Sequence, residues 1–326
     1  MTLILSHSDV AAVLDRAEVL AAVERAHTDL ALGTALVPAP PAMTLGGAAF
    51  VPMVAAAETA GAAAVKLLAD LPANRERGLP VQRSVIVVTS AADGACEALI
   101  DGRLVTAVRT AAASAVATKH LSRQDSSILG LVGAGGLAVE HTRAIARVRE
   151  LRTVLVWSRT AATVERFRAA VDDLGLDVRA LASPEAVTRA ADVLCTLTPS
   201  REPIVRGAWF GAGLHVNAVG APPRADHREV DGVAMSRARV VVDSVATTLT
   251  KSGDTLLALA EGAITEATVG TELGEVIAGR AAGRGSDREI TLFNSVGIGL
   301  QDLATARLLI DNARTNGIGT EVDLSQ

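Results

Sequence analysis

The chain has 326 residues, 49% of them hydrophobic and 2% aromatic, with a formal net charge of −5. That length suffices for two domains of about 100 to 200 residues each, with apolar content to pack both cores. The acidic balance, with a pI near 5.7, argues against a nucleic-acid or anionic-membrane surface. There is no Tyr, so a catalytic proton would have to come from Lys, His, Asp, Glu or water.

In chain order, Thr2 to Leu5 reads as a short strand, and Met1 to Ser6 lacks the basic start and long apolar core of a secretion signal. Asp15 followed by Glu18 has the spacing of a capping box and opens a helix with Val19, Val23, Ala26 and Leu30 on one face. A Pro-rich turn occupies Val37 to Pro41. Ala48 to Val54, Gly61 to Leu68 and Val81 to Thr89 read as strands, the last two separated by the turn-rich segment Leu71 to Pro80. Two basic residues interrupt apolar runs: Lys66 in Ala62-Ala-Ala-Val-Lys-Leu-Leu68, and Arg109 in the Ala-rich helical stretch Thr106 to Ser114. A buried cation is costly unless an anion compensates it. The two therefore read either as a pocket for a carboxylate or as structural ion pairs with Asp or Glu, and their proximity to a nucleotide-type segment favours the pocket.

From Ser127 the pattern changes to alternating strand and helix. The apolar run Ile128 to Val132 leads into Gly133-x-Gly135-x-x-Ala138, Val139 to Glu150 reads as helix, and Thr153 to Trp157 supplies a second strand. This is the dinucleotide-binding turn: Gly133 permits a tight bend, Gly135 lets bare backbone approach a pyrophosphate, and the small Ala138 lets the helix pack close to the sheet. The second strand ends in Trp157-Ser158-Arg159-Thr160, with no acid until Glu165. An Asp or Glu there would hold a ribose 2′-hydroxyl, whereas Arg159 between two hydroxyls suits a 2′-phosphate, so NADP(H) is expected in preference to NAD(H). Further strands at Asp177 to Leu181, Asp192 to Thr198, His215 to Val219 and Arg239 to Asp243 predict an α/β fold with a parallel, doubly wound sheet. A final helix, Gly299 to Asn312, returns to the first domain.

Cys96 and Cys195 lack metal-type spacing and read as buried thiols of a reducing cytosol. His7, His27, His120, His141, His215 and His227 show no i, i+4 pair, so no metal site is expected. Charges or turn residues break every apolar stretch before about 18 residues, so no membrane span is expected and the protein reads as cytoplasmic.

The segments Val65-Lys66-Leu67, Gly78-Leu-Pro80, Asp101-Gly102, Thr106-x-x-Arg109-Thr-Ala-Ala112, Gly133-Ala-Gly135, Trp157-Ser-Arg159, Ala191-Asp192, Thr196-x-Thr198-Pro-Ser200, Asn217-Ala-Val-Gly-Ala221, Val242-Asp-Ser244, Gly274-Glu-Val276 and Ser295-Val-Gly297 together resemble, in that order, the ornithine cyclodeaminase and mu-crystallin family. The resemblance implies a homodimer in which a Rossmann domain, 116–291, is inserted in an α+β substrate and dimerisation domain, 1–115 plus 292–326. It implies that Lys66 and Arg109 bind a substrate carboxylate or flank its reactive carbon. Gly133, Gly135 and Gly136 would then hold the pyrophosphate, and Ser158, Arg159 and Thr160 the 2′-phosphate. It also implies that Thr198 lies beside the adenosine, with Val219 and Ser295 around the nicotinamide and Thr110 as a further cofactor contact. Family activities include cyclodeamination of ornithine or lysine, oxidation of alanine, and reduction of cyclic ketimines and other imino acids.

Two departures narrow this reading. Where cyclodeaminases carry a catalytic Asp, the chain has Pro222, and Asp226 comes four positions later. Family members also carry an Arg soon after a Pro where this chain has Ala42, so Arg83, on a neighbouring strand, is the candidate substitute. The expected function is reduction of an imine to an amine or amino acid, or the reverse dehydrogenation, on a small carboxylate-bearing substrate. A redox-neutral ammonia lyase and a nucleotide-regulated binding protein of the mu-crystallin kind are the alternatives.

Overall fold

The computed structural model describes residues 1–324; the last two positions of the expected 292–326 segment lie outside the described residues. The chain divides into two compact units, Met1–Arg109 with the chain from Ile298 onward, and Thr110–Gly297. The family resemblance implies crossings at 115/116 and 291/292, and the structure has them at 109/110 and 297/298. The first one observed falls inside a continuous helix, Gly102–Leu121, where composition has no break to mark it.

The first unit begins with strand β1 (Thr2–Leu5) and helices α1 (His7–Val13) and α2 (Arg16–Leu32). Strands β2 (Ala35–Leu36), β3 (Met43–Leu45), β4 (Ala48–Ala57), β5 (Ala62–Asp70), β6 (Gln82–Ser90) and β7 (Cys96–Asp101) follow, and helix α3 (Gly102–Leu121) leads out. Asp15 caps α2 by accepting from the Ala17 and Glu18 N–H groups. Helix α1 was not legible as a separate element; Ser6 and Asp9 form a reciprocal capping box around its first turn.

The second unit is built from β8 (Ile128–Val132), α4 (Gly136–Ile145), β9 (Thr153–Trp157), α5 (Ala161–Ala170), β10 (Asp177–Ala180), α6 (Pro184–Ala190), β11 (Val193–Thr196) and β12 (His215–Ala218). It continues through α7 (Gly232–Arg237), β13 (Arg239–Val242), α8 (Val245–Lys251), α9 (Gly253–Ala260), α10 (Leu273–Ile277) and β14 (Thr291–Asn294). Its seven strands run in the order β10-β9-β8-β11-β12-β14-β13 and pair in parallel throughout. That is the doubly wound sheet the alternation predicted. Strands β11, β12 and β14 are buried at every position, as strands covered on both faces must be. The sequence missed β14 because Thr291-Leu-Phe-Asn294 has only two apolar residues, too few to show a period. Helix α4 stops five residues before its expected end at Glu150. Beyond it the buried Arg149 donates to the carbonyls of Thr118, Lys119 and Ser122, a side-chain demand that helical periodicity does not reveal.

The chain then returns to the first unit as α11 (Gly299–Asn316) and β15 (Thr320–Val322). The completed mixed sheet has the order β15-β1-β7-β6-β5-β4-β2, with β3 also paired to β4. Alternation along β5 buries Ala62, Ala64, Lys66, Leu68 and Asp70. Leu300, Leu303, Leu309 and Ile310 of α11 pack in one core with Ala64, Ile86, Val88 and Ile100 of the sheet. The other face of the strands shows Val65, Leu67 and Val85, at 42%, 37% and 43% exposure, a row of apolar side chains in the open. Among the described residues no helix is long and apolar enough to cross a membrane.

The approach of α11 to β4 leaves no room at Gly299, where a Cβ would lie 2.7 to 2.8 Å from three backbone atoms of Val54. Backbone cannot swing aside as a side chain can, so Gly299→Ala should displace the first turn of α11. The expected loss is about 1–3 kcal/mol of unfolding free energy by denaturant titration.

Candidate functional site

In the first unit, β5 presents Lys66 on the covered face of the sheet, where it is 1% exposed. Helix α3 brings Thr106 and Arg109 to it, three residues apart and so on one face, and α11 brings Gln301 and Asp302 in its first turn. Lys66 Nζ donates to Asp302 Oδ1 at 2.9 Å, to Oδ2 at 3.1 Å and to Thr106 Oγ1 at 3.1 Å. The Thr106 hydroxyl spends its own proton on the Gly102 carbonyl at 2.7 Å, which leaves its oxygen free to accept. Arg109 donates from Nε to Asp302 Oδ1 at 3.2 Å and from Nη1 to Gln301 Oε1 at 2.7 Å. These bonds leave its Nη2 without a described partner.

Two cations thus share one buried carboxylate, and the cluster keeps one positive charge in excess. Burial, reinforced by the Arg109 charge, pulls the Lys66 pKa down to about 8 against the attraction of Asp302. Lys66 is thereby able to give or take a proton near neutrality. A neutral histidine stands behind Arg109. Gln301 turns its Oε1 to Arg109, so its Nε2 donates to His27 Nε2 at 3.1 Å, and burial holds the His27 pKa down to about 4.

The expected residues Lys66 and Arg109 are therefore brought together, and the anion they share is Asp302, which sequence reasoning missed. The available signal was a Gln-Asp pair in an otherwise apolar first turn, Gly299-Leu-Gln-Asp-Leu303. Arg83 requires a correction. Lys66 lies directly opposite Ile86, whereas Arg83 lies opposite Ala69. Directly opposed residues share a face and neighbours alternate, so Arg83 shares its face with Val65 and Val85, is exposed, and cannot stand beside Lys66 in the same chain. A charge on a strand shows its face only once the pairing register is fixed.

In the second unit, the expected dinucleotide residues gather just past the C-terminal ends of the parallel strands, where open α/β sheets bind ligands. Gly133 follows β8, Ser158 to Thr160 follow β9, Thr198 lies two residues beyond β11, Val219 follows β12 and Ser295 follows β14. Thr110 is the exception, within α3. Gly133 has φ of 110°, and a Cβ there would meet the Leu197 carbonyl oxygen at 2.8 Å, so both conformation and contact demand glycine. Gly135 is the N-cap of α4 and offers no side chain to its N–H groups. No atom lies within 4 Å of where a Cβ would stand on Gly135 or Gly136. Open space, bare donors and the positive end of a ten-residue helix fit a pyrophosphate. Ala138 is fully buried, as close helix packing requires.

Arg159 and Thr160 are exposed and precede α5, whose N-cap Thr160 makes no capping hydrogen bond. The Thr160 hydroxyl instead pairs with that of Thr163 at 2.8 Å. Ser295 donates to Asp243 Oδ2 at 2.7 Å, as does the Gly297 N–H at the same distance, so the turn after β14 is fixed by a buried carboxylate. Asp226, the candidate for the missing base, accepts from His227 Nδ1 at 2.9 Å and lies 3.6 Å from Arg201. The His227 hydrogen bond holds its carboxyl below the usual range.

A family model described as the ornithine cyclodeaminase/mu-crystallin family matches residues 1–317. The alanine dehydrogenase of Archaeoglobus fulgidus is 33% identical over 325 residues, covering 98% of each chain. The solved structure of Thermococcus litoralis Δ1-pyrroline-2-carboxylate reductase in complex with NADH and L-proline is 36% identical. It superposes with a TM-score of 0.95, covering 98% of this chain and 100% of its own. An archaeal alanine dehydrogenase dimer with bound NAD is 32% identical with a TM-score of 0.94, covering 99% of both chains.

Removing the shared anion should expose how strained the cation pair is. Asp302→Asn leaves Lys66 and Arg109 buried without compensation, and equilibrium denaturation should show a loss of about 3–5 kcal/mol. A loss under about 1 kcal/mol would mean that Lys66 sheds its proton or another anion compensates the pair.

Proposed function

The chain belongs to the ornithine cyclodeaminase/mu-crystallin family, and on that premise we propose that it is an oxidoreductase acting on carbon–nitrogen bonds, reducing a carboxylate-bearing imine with NADP(H) or running the reverse dehydrogenation. The observation that carries this reading is the excess positive charge of Lys66 and Arg109 over Asp302, buried on a rigid sheet and helix pair. A small substrate with one carboxylate neutralises that excess.

The nicotinamide, when bound, supplies or accepts the hydride at its C4, and the carbon of the C=N bond is the other party. The protein's own tasks are to fix the substrate and manage its proton. Arg109 Nη2 donates to the substrate carboxylate. The Lys66 ammonium donates to the lone pair of a neutral imine nitrogen and passes its proton there, so that the carbon accepts hydride as an iminium and Lys66 is left as the neutral amine. Asp302 aims both cations.

On the cofactor side, Gly133, Gly135 and Gly136 receive the pyrophosphate, with Thr110 nearby in sequence to the substrate cluster as a further contact. Thr198 serves the adenosine, and Val219 and Ser295 the nicotinamide. Ser158, Arg159 and Thr160 take the 2′-phosphate that distinguishes NADP(H). The support for this finer preference is that Arg159 pairs with no carboxylate among the described residues. A homodimer joined through the Val65, Leu67 and Val85 face accounts for that exposed apolar row, in line with the archaeal alanine dehydrogenase dimer. A reducing cytoplasm suits the free thiols of Cys96 and Cys195.

Cyclodeamination is disfavoured. Pro222 has no side-chain base, and the exposed Asp226 is engaged by His227 and Arg201.

The deciding measurement is loss of reduced-nicotinamide absorbance with NADPH and with NADH. The panel is 2-oxo acids with ammonia or methylamine, and the cyclic imines pyrroline- and piperideine-2-carboxylate. Turnover on any imine is expected; NADPH binding without turnover on the whole panel would replace this reading with a binding role. Lys66 must carry its proton to donate it, so reductive kcat/KM should be steady at low pH and fall as pH rises through about 8. The oxidative direction, which needs the neutral amine, should rise through the same point. Lys66→Met should lower the rate by about 10²–10⁴-fold and abolish that inflection. Arg159→Ala should raise the KM for NADPH by about 10–100-fold, the worth of a charge-assisted hydrogen bond, and leave that for NADH unchanged.

A further inference from the structure

Glu229 is fully buried in the second unit, and its carboxylate is surrounded by donors. Oε1 accepts from the Thr198 N–H at 2.5 Å and the Thr198 hydroxyl at 2.7 Å. Oε2 accepts from the Gly220 N–H at 2.7 Å and the Thr196 hydroxyl at 2.7 Å. We propose that Glu229 is a positioning residue for the dinucleotide site: its carboxylate ties the chain leaving β11 to the chain leaving β12, and so holds Thr198 on one side and Val219 and Gly220 on the other at a fixed separation. This rests on the nicotinamide reading above.

The argument begins where the parallel ladder stops. Strands β11 and β12 pair from Val193 opposite His215 to Thr196 opposite Ala218. The last rung, Val219 N–H to the Thr196 carbonyl, is already stretched to 3.4 Å. Past that point the N–H groups of Thr198 and Gly220 have no strand to donate to, and one carboxylate takes both. The two segments also touch: a Cβ on Gly220 would lie 2.2 Å from the Thr198 nitrogen. The Gly133 turn packs on the same segment, against the Leu197 carbonyl. Glu229 therefore controls three pieces of backbone around the place where the nucleotide binds.

Glu229 is itself anchored from behind. Asp254 Oδ1 accepts from the Glu229 N–H at 2.8 Å and the Val230 N–H at 3.0 Å. The Glu229 carbonyl accepts from Ile204 and Val205. Burial and the nearby Asp254 charge push the Glu229 pKa up to about 7, so keeping a carboxylate here costs free energy that packing alone would not justify. The stereochemistry explains its use. Each carboxylate oxygen faces one backbone N–H, which can only donate, so both oxygens must accept. An amide cannot do this: whichever way a glutamine is turned, its NH2 confronts either the Thr198 or the Gly220 N–H. In sequence Arg228-Glu229-Val230-Asp231 reads as a solvated charged loop, which hides this role.

The test compares wild type with Glu229→Gln in the full-length protein, with NADPH affinity by calorimetry and backbone amide hydrogen exchange as readouts. Thr196→Val serves as a milder second variant that removes one hydroxyl donor and keeps the carboxylate. The expected result is faster exchange at Thr198 and Gly220 in Glu229→Gln. NADPH should bind about 10–100-fold more weakly while the Lys66-centred pH inflection of turnover stays in place. Thr196→Val should shift affinity in the same direction by less. If folded Glu229→Gln binds NADPH as wild type does, or if its folding is impaired while Thr196→Val shows wild-type affinity and exchange, the proposal is overturned. Failure of the wild type itself to bind either NADPH or NADH would instead overturn the nicotinamide reading, and this inference with it.

Discussion

The ion cluster at Asp302 is the constraint around which the first unit is organised. Lys66 and Arg109 are both nearly inaccessible to water, and neither could be buried without a nearby anion. The anion is 236 positions from Lys66 in the chain. The sheet, the helix leaving it and the returning C-terminal helix must all be in place before the cluster exists. Gly299 matters for the same reason, since it lets the first turn of α11 close on β4 and carries Gln301 and Asp302 in with it. One carboxylate against two cations is a poor bargain for stability alone. The residual positive charge is what the proposed substrate carboxylate would neutralise.

The second unit solves the opposite problem. Helices α6 to α9 begin with Ser183, Asp231, Ser244 and Ser252 side chains bonded to their N–H groups. Helices α4 and α5, which follow the first two strands of the sheet, begin without one. At α4 the bare donors face open space, which suits the pyrophosphate proposed there. The loops around them are held by buried carboxylates: Asp243 grips Ser295 and Gly297, and Glu229 grips Thr198 and Gly220. Backbone that must stay exposed for a ligand is thus fixed from the side away from solvent.

Similar chains use this scaffold for imino-acid reduction and for alanine oxidation, and the solved complexes hold NADH or NAD. These reactions share hydride exchange at a carbon bearing nitrogen, so the common requirements are a fixed carboxylate and a controllable proton. The species of nucleotide turns on a few side chains after β9, and here Arg159 offers a guanidinium where a ribose-binding acid would stand. Fold and cofactor preference are separable for that reason.

The sequence by itself determined the local elements and the chemistry they carry. The Gly133 turn, the alternation that makes β5 and β6, the Asp15 cap and the succession of strand and helix from β8 onward all follow from interactions between near neighbours, which periodicity and spacing record. Lys66 and Arg109 could be singled out because a charge inside an apolar run is anomalous wherever it lies. Only the tertiary structure decided what those charges meet. Asp302, Gln301 and His27 come from distant segments, and nothing in the intervening chain encodes their approach. Arg83 shows the same limit in reverse: its strand was legible, but its face depended on pairing register, and a shift of one residue moves a side chain across the sheet. Glu229 was invisible in sequence because a carboxylate in a charged loop looks solvated until the fold buries it among backbone donors.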